Sequence, residues 1–382
     1  MKIFLRSLRQ IVSRPVYWAA MFILPLFCIL LLTTMMEEGL PMQVPSAIVD
    51  KDGTRLSRKM TQNLKSMQLV DIADECNSYT EARHLVQEGK IYGFFMIPEN
   101  FEHDLLAGRS PVVTFYTNMT FYVPASLAFK TFKTTALMSK VGVIIEVMES
   151  AGVNGSSALP LLQPVSFQGR PIGNPGMNYA VYLCNSFLPC VLQLMILLVT
   201  CFSLGQEIKH GRSRQLMKLA DGSILKALFF KLLPETIVWW VMILFIESWL
   251  YCWQGYPMNG SWFWITLSEL MFVPACQGMA LLFFGLLPNL RLSLSISALL
   301  GILSFSIAAF SFPEESMYPE ISIFSWLMPI RYNFLIYIDQ AQNGRELFYS
   351  RWWYVAYIVY MLLPLLVAGR IKKAFMRQVY VP

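Results

Sequence analysis

The sequence predicts a polytopic α-helical membrane protein with six transmembrane helices and an α/β extracytoplasmic domain inserted between the first and second spans. Three observations carry this prediction. Of the 382 residues, 55% are hydrophobic and only 14% are charged, whereas soluble domains carry roughly 25% charged residues. Six apolar runs are long enough to cross a bilayer, and one long polar segment separates the first run from the second. This composition excludes a cytosolic enzyme, a disordered chain and a small secreted domain held by disulfides.

The predicted spans approach the roughly 20 apolar residues that a bilayer core of about 30 Å requires. They lie at 16–36, 179–204, 232–252, 262–287, 292–312 and 352–369. The first is long and is followed by no small-x-small cleavage site, which predicts an uncleaved signal anchor. Before it, Lys2–Arg14 combines basic and apolar side chains at helical spacing. This pattern predicts an amphipathic helix lying on the anionic membrane surface.

Basic residues near the span ends predict the orientation, because cytoplasmic loops are enriched in Lys and Arg. Four precede the first span, six lie in 205–231, one lies in the turn 288–291 and four follow the last span. The opposite loops hold none in 253–261 and three in 313–351. The distribution places both termini and 205–231 in the cytoplasm, and 37–175 outside. Long translocated domains are exempt from the rule, so the basic residues of 37–175 do not contradict it.

The polar segment alternates short, partly β-branched runs with helical patterns, which predicts a mixed or parallel sheet with helices packed on it. The predicted strands are 44–49, 68–72, 91–97 and 112–116, and the predicted helices are 56–64, 80–86, 101–106 and 125–150. Ser78 or Thr80 is expected to cap the second of these helices.

The predicted organisation therefore has four parts. They are a cytoplasmic amphipathic elbow helix at 1–14, the first transmembrane helix at 15–36, the extracytoplasmic α/β domain at 37–175 and a five-helix transmembrane domain at 176–382. Inside the last part, a charged cytoplasmic loop occupies 205–226. The outer segment 313–351 is too apolar for a free loop and has only about nine apolar-rich residues in one run. That length favours a re-entrant or interfacial helix over a span.

The sequence contains no motif for nucleotide hydrolysis or a metal centre. The one Gly-Lys pair, Gly89-Lys90, lacks the first glycine and the following hydroxyl of a P-loop. The three histidines show no metal-ligand spacing, and no Cys-x-x-Cys pair occurs. We therefore expect neither a catalytic site nor a cofactor or metal site in this chain, and no binding of nucleic acid.

The order of segments and several local motifs resemble the membrane subunits of ATP-binding-cassette transporters of the type-2 exporter class. The matching stretches are Ala47–Gly53 followed by Leu56-Ser57-Arg58, Glu81-Ala82, Gly93–Phe101, Glu207–Leu216 and Pro329–Tyr332. The stretch Glu207–Leu216 resembles the signature Glu-x-x-x-Gly-Thr-x-x-x-Leu, with Arg212 where threonine is usual. The resemblance covers nearly the whole chain and does not indicate the cargo.

The resemblance implies an export permease whose ATP and Mg²⁺ are bound by a separate ATPase subunit. It also implies a homodimer or a pairing with a second permease paralogue, a place in the bacterial inner membrane and a periplasmic adaptor as a further partner. Loop 205–226 would seat in a groove of the ATPase. The residues expected to couple the two subunits are Glu207, Gly211, Arg212, Arg214 and Leu216. For Arg212 and Arg214 the alternative is a topological role, with Glu207 paired locally to Arg214 or Lys209.

Acidic residues inside spans are costly and therefore informative. Glu269 and Glu247 are candidates for a substrate path or a proton relay, and Glu235 lies near the start of its span. The alternative is that Glu235 pairs with Lys231 and that Glu247 reaches outer water. At the predicted outer mouth, Pro329, Arg331 and Tyr332 are candidates for a gate. Trp326 and Tyr332 are also compatible with a simple interfacial aromatic belt.

Two other functions compete with an exporter of amphipathic or drug-like molecules. A membrane-anchored receptor or scaffold would use the outer domain to bind a ligand or an envelope protein without transport. Such a scaffold has no need of an ATPase-docking loop at 205–226. A secondary transporter is disfavoured because one span precedes the domain and five follow it, which gives no inverted-repeat symmetry.

Overall fold

The computed structural model describes residues 2–37, 39, 41–109, 111–150 and 173–377. It divides into two compact units, Met1–Gly39 with Arg170–Pro382, and Leu40–Gly169. The first unit begins with helix α1 (Lys2–Ser13) and helix α2 (Pro15–Met35). A π-helical turn, Ala19–Ile23, interrupts α2 just before Pro25. Proline cannot donate the usual backbone hydrogen bond, and a local π turn absorbs that break without ending the helix.

The second unit is an α/β fold with strands β1 (Val44–Asp50), β2 (Val70–Cys76), β3 (Gly93–Ile97) and β4 (Thr114–Thr117). Its helices are α3 (Arg55–Lys65), α4 (Tyr79–Gln87), α5 (Phe101–Leu106) and α6 (Tyr122–Ser150). The strand order is β2-β1-β3-β4, with β1 parallel to β2 and β3, and β3 antiparallel to β4. The sheet is thus mixed, and Ser78 caps α4 by accepting from the Glu81 amide at 3.2 Å.

Alternation along β1 and β3 divides the core of this unit between the two faces of the sheet. Ile48 and Phe95 pack with helix α3 and with Phe132 of α6, whereas Val49 and Phe94 pack with Ala82 of α4. Successive side chains of a strand point to opposite faces, so two adjacent apolar residues serve two cores. The unit therefore has three layers, with helices on both sides of the sheet.

The acidic turn after β1 connects the strand to two helices through hydrogen bonds. The Asp52 carboxylate accepts hydrogen bonds from the backbone amides of Phe101 at 3.1 Å and Glu102 at 3.0 Å, which caps helix α5. Asp50 accepts from the Gly53 amide at 3.0 Å and the Ser57 hydroxyl at 2.7 Å. A carboxylate at a helix N-terminus satisfies amides that have no partner inside the helix. The stretch Ala47–Gly53 therefore holds three elements together.

The chain then continues in the first unit with further helices. They are α7 (Tyr179–Lys209), α8 (Ser213–Leu219), α9 (Ile224–Trp253), α10 (Trp262–Leu286), α11 (Leu290–Ile307), α12 (Pro319–Ser325), α13 (Pro329–Gln342) and α14 (Leu347–Arg377). Among the described residues, six helices are long and apolar enough to cross a membrane: α2, α7, α9, α10, α11 and α14. This number agrees with the predicted count. Helices α12 and α13 form a pair bent by 82°.

Several helix ends differ from the ends of the predicted spans. Helix α7 continues to Lys209 instead of ending near 204, and α9 begins at Ile224 instead of 232, where Ser223 caps it. Helix α11 ends at Ile307, short of the predicted 312. A hydropathy window finds the apolar middle of a helix, but polar end turns remain helical wherever other elements supply partners for their side chains.

The backbones of α10 and α14 approach very closely. A Cβ atom added at Gly278 would lie 2.1 Å from the Tyr360 carbonyl oxygen, and one at Gly285 would lie 2.4 Å from the Val367 Cβ atom. Small residues permit this approach between membrane helices, where packing replaces the hydrophobic effect as the source of association. These two glycines therefore set the distance between α10 and α14.

Gly278→Ala is expected to lower the thermal stability of the full chain in detergent, because the methyl group collides with backbone that cannot rotate away. Overpacking costs typically about 1–3 kcal/mol, and a fixed carbonyl places this site at the upper end. Gly369→Ala, in the same pair of helices but with nothing within 4 Å of its Cβ position, is the control. Equal melting temperatures for the two variants would contradict the assigned close approach.

Candidate functional site

A buried cluster of three charged side chains and one glutamine joins three helices of the first unit. We call Arg6, Gln10, Glu207 and Lys231 the charge cluster. The Glu207 carboxylate accepts from Arg6 at 2.5 Å, from Gln10 at 3.1 Å and from the Lys231 ammonium at 3.1 Å. The side chains of Glu207 and Lys231 are 3% and 1% exposed. One carboxylate thus connects α1, α7 and α9.

Local sequence explains how α1 reaches this carboxylate. Ile3, Ser7 and Ile11 are buried at spacings of four residues, so they form the packed stripe of the helix. Arg6 and Gln10 are also four residues apart and lie together beside that stripe. Gln10 accepts from Lys231 at 3.2 Å as well as donating to Glu207. The polar flank of α1 therefore complements both buried charges.

Glu207 lies within helix α7 instead of in a loop, and its carboxylate is buried among side chains of its own chain. Arg6 and Lys231 pair with the carboxylate, and the Arg214 guanidinium donates to the Met376 carbonyl oxygen instead of to Glu207. Arg6 is 201 positions away in the sequence. No spacing rule within the loop could have indicated this partner.

The charged segment after α7 is a short helix between two turns, which we call the basic turn (210–223). Gly211 has a φ of +65° and follows the end of α7, a position at which glycine commonly ends a helix. Leu216 is buried with 1% exposure and anchors α8. Arg212 and Arg214 are exposed, and the Arg214 guanidinium donates to the Met376 carbonyl oxygen at 2.8 Å. The five predicted coupling residues thus have different surroundings.

The basic turn is fastened to the end of α14. The Ser213 hydroxyl donates to the Phe375 carbonyl oxygen at 2.7 Å, next to the Arg214 contact. These bonds use carbonyls that a helix C-terminus leaves without partners. A displacement of α8 would therefore reach α7, α9 and α14 directly.

Two of the predicted intramembrane acids line one cavity. Glu247 and Glu269 face a space of about 30 Å³ together with Asn185, Tyr251, Asn333 and Tyr337. Glu269 accepts from the Asn333 amide at 3.0 Å, and its second carboxylate oxygen is buried without a hydrogen-bond partner. Glu247 accepts from the Thr266 hydroxyl at 2.7 Å and is only 6% exposed, so the alternative that it reaches open water is wrong. The rest of the wall is largely apolar, and a space of this size has room for one water molecule beside the polar groups.

Glu235 lies apart from the Glu247 and Glu269 cavity. It is 1% exposed, and one carboxylate oxygen has no hydrogen-bond partner. The Lys231 ammonium donates to Glu207 and Gln10, so its influence on Glu235 is that of a nearby charge and not of a direct ion pair. Glu235 is thus a buried acid beside the charge cluster, and it takes no part in the hydrogen bonds of that cluster.

The predicted gate residues form the inner corner of the bent pair α12 and α13. The Arg331 guanidinium donates to Glu314 at 2.5 Å and to the Ala308 carbonyl oxygen at 3.3 Å, and it lies 5.0 Å from the centre of the Trp326 ring. The Tyr332 hydroxyl donates to the Trp326 carbonyl oxygen at 2.9 Å. Pro329 is buried at the first turn of α13, where proline is tolerated.

Sequence reasoning missed two residues that hold this corner. Glu314 accepts from Trp326 at 2.7 Å and Ser322 at 2.9 Å in addition to Arg331. Gln193, fully buried within α7, accepts from the Ile330 amide at 2.9 Å and donates to the Ser304 hydroxyl at 3.0 Å. An amide in the middle of an apolar run was the available signal, since buried polar groups in membranes carry conserved bonds or function.

These features define a membrane protein whose long apolar helices are connected by buried polar side chains. The family model for ABC-2 family transporter proteins matches residues 15–369. The chain therefore belongs to the ABC-2 family of transporter proteins. A search of curated proteins finds no match. Within the described residues, no group of three or more His, Cys, Asp or Glu side chains is placed to hold a metal ion.

Glu207→Gln is expected to destabilise the chain strongly, because it leaves the Lys231 ammonium buried without a counter-charge. Breaking a buried pair on one side costs about 3–5 kcal/mol, whereas removing both charges costs far less. The double variant Glu207→Gln/Lys231→Met should recover most of the lost melting temperature in detergent. Asp221→Asn, which breaks the exposed pair with Lys226, is the control and should not change it. Failure of the double variant to recover would contradict the cluster.

Stability of the bent pair is expected to depend on pH through Glu314. Burial opposes its ionisation, but hydrogen bonds from Trp326 and Ser322 and the charge of Arg331 outweigh burial and lower its pKa. A lowered pKa in the folded state means that the stabilisation is present above the ordinary glutamate pKa of about 4.3 and is lost as pH falls through the lower folded value.

The difference in melting temperature between the wild type and Glu314→Gln should therefore be large at neutral pH and shrink below pH 4. Glu320→Gln, an exposed acid on α12, is the matched control and should show no such difference. A gap between wild type and Glu314→Gln that is constant with pH would contradict the assignment.

Proposed function

We propose that this ABC-2 family protein is the permease subunit of an exporter that moves an amphipathic or drug-like molecule outward across a bacterial inner membrane. ATP and Mg²⁺ would be bound by a separate ATPase subunit. The observation that carries the proposal is the family match over 15–369 in a sequence that has no P-loop motif. Transport against a gradient then requires a partner that hydrolyses nucleotide.

The basic turn is the element proposed to receive the ATPase. It offers exposed Arg212, Arg214 and Lys218, whereas Leu216 packs inward and holds the short helix in place. Arg214 and Ser213 attach the turn to α14, and the charge cluster attaches the adjoining ends of α7 and α9 to α1. A push on the turn would therefore tilt several helices together, as in a rigid-body switch.

The cavity at Glu247 and Glu269 is proposed as part of the substrate path or of a proton relay. Asn333 connects Glu269 to α13, so the state of this acid bears on the bent pair. Intramembrane acids with an unsatisfied oxygen are costly and mark functional sites by default. The corner formed by Pro329, Arg331 and Tyr332 would then act as the outer gate.

The orientation and the further partners belong to the same proposal. The distribution of basic residues supports cytoplasmic termini and a cytoplasmic basic turn. The α/β unit would then project outside the membrane, where a periplasmic adaptor could bind it. A second copy of the chain, or a paralogue, would complete the path. A scaffold without transport remains the competing function and makes a different prediction about the basic turn.

Lys218→Glu is expected to reduce recovery of a P-loop ATPase with the tagged chain by about tenfold or more, because it reverses a charge on the proposed docking surface. The measurement is purification from native membranes in mild detergent, with co-purifying proteins quantified by mass spectrometry. Arg291→Glu, at an exposed basic residue in the first turn of α11, is the matched control.

Unchanged recovery of the ATPase with Lys218→Glu would exclude the basic turn as its docking site. Absence of any ATPase with the wild-type chain under several detergents would favour the scaffold function.

A further inference from the structure

An arginine-rich groove runs beside helix α1. Its volume is about 600 Å³, and its lining includes Leu5, Arg6, Arg9, Arg14 and Arg212. The four guanidinium groups come from two separate parts of the chain, α1 with its following residue and the start of the basic turn. No carboxylate lines the groove among the described residues.

The groove has cationic groups that its own chain leaves unsatisfied. Arg14 donates to the neutral Gln206 amide oxygen at 3.1 Å. Arg9 and Arg212 are exposed and form no ion pair with any described residue. Arg6 uses one terminal nitrogen for Glu207, while its Nη1 atom is buried and has no hydrogen-bond partner. Arg6 therefore adds positive charge to the wall of the groove, whereas Arg9 and Arg212 are the groups whose N–H donors are exposed to a ligand.

The donor type indicates which anion fits. Guanidinium groups present paired N–H donors that match the oxygens of a phosphate, and several arginines around one groove are typical of phosphate recognition. A carboxylate would satisfy the paired N–H donors of one guanidinium group, whereas a phosphate group offers acceptor oxygens to several guanidinium groups at once. The shared chemistry is therefore an oxygen-rich phosphate anion.

Apolar side chains beside the groove indicate that this phosphate belongs to a lipid. Leu5 lines the groove and is 56% exposed, and Leu8 and Val12 follow along the same helix with 37% and 58% exposure. Exposed leucines next to arginines are the pattern of a helix that lies in the interface, with apolar side chains among acyl chains and basic ones at headgroup level. A free phosphate would leave these side chains without a partner.

We propose that the groove between α1 and the basic turn binds the phosphate headgroup of an anionic phospholipid. The lipid would bridge Arg9 of α1 to Arg212, with the charge of Arg6 beside them, and so link the amphipathic helix to the basic turn. Binding of the lipid does not require an ATPase partner, so this inference can be tested on the purified chain alone. Its failure would leave the proposed transport function intact.

The test measures binding of phosphatidylglycerol to the full chain, delipidated in a neutral detergent, by native mass spectrometry and by the rise in melting temperature. Phosphatidylcholine, which carries a phosphate but no net charge, is the reference lipid. Arg9→Gln/Arg212→Gln should weaken phosphatidylglycerol binding by about thirtyfold, since each basic side chain near an anionic lipid contributes about 1 kcal/mol. Both arginines are exposed, so the variant is expected to fold.

Lys372→Gln/Lys373→Gln is the control, because it removes two exposed charges from α14 that do not line the groove. Selective binding of phosphatidylglycerol that is lost only in the arginine variant supports the proposal. Equal losses in both variants would overturn it in favour of general surface attraction. Competition by millimolar inorganic phosphate, with equal stabilisation by phosphate alone, would overturn the lipid assignment. Undiminished lipid binding by the arginine variant, with loss of ATPase co-purification, would instead identify a protein-docking surface.

Discussion

The arrangement of the membrane unit depends on one buried carboxylate with two cations. Glu207 lies between Arg6 and Lys231, and neither Glu207 nor Lys231 reaches solvent appreciably. Desolvating such groups is expensive, and their mutual attraction offsets the expense only when all three stay in place. The elbow helix α1 is therefore not an optional surface feature. Without it, the buried Glu207–Lys231 pair would lose the second cation, Arg6, and the hydrogen bonds that Gln10 makes to both charges.

The alternation of the α/β unit could be predicted from sequence because its signals are local. The β1 strand Val44–Asp50 and the α4 cap at Ser78 follow from runs of a few residues and from capping chemistry. The antiparallel addition of β4 was left open, since strand pairing depends on contacts between Gly93–Ile97 and Thr114–Thr117 that no local pattern specifies. The exact ends of the helices in the membrane unit could not be predicted for a similar reason, because their polar end turns depend on contacts with other elements.

The sequence could predict which acidic residues belong to the candidate site, but not which side chains they pair with. Intramembrane acids are rare enough that Glu247 and Glu269 stand out from sequence alone, and the structure brings both to one cavity. The sequence places Glu207 in a cytoplasmic loop because the apolar run ends near 204 and because Glu207–Leu216 resembles the family signature. Its real partners come from α1 and from the next span, and pairings across such separations are set by packing. Glu314 and Gln193 were missed for the same reason.

The close contact at Gly278 also limits how this protein can change shape. With the backbones of α10 and α14 touching near Tyr360, the two helices cannot slide past each other without first separating, so they move as one rigid body. Asn333 ties α13 to this body through Glu269 of α10. We therefore expect a rearrangement to be concentrated where this body meets α7. There Gln193 accepts a single hydrogen bond from the Ile330 amide of α13 and donates another to Ser304 of α11, and such single bonds can exchange partners.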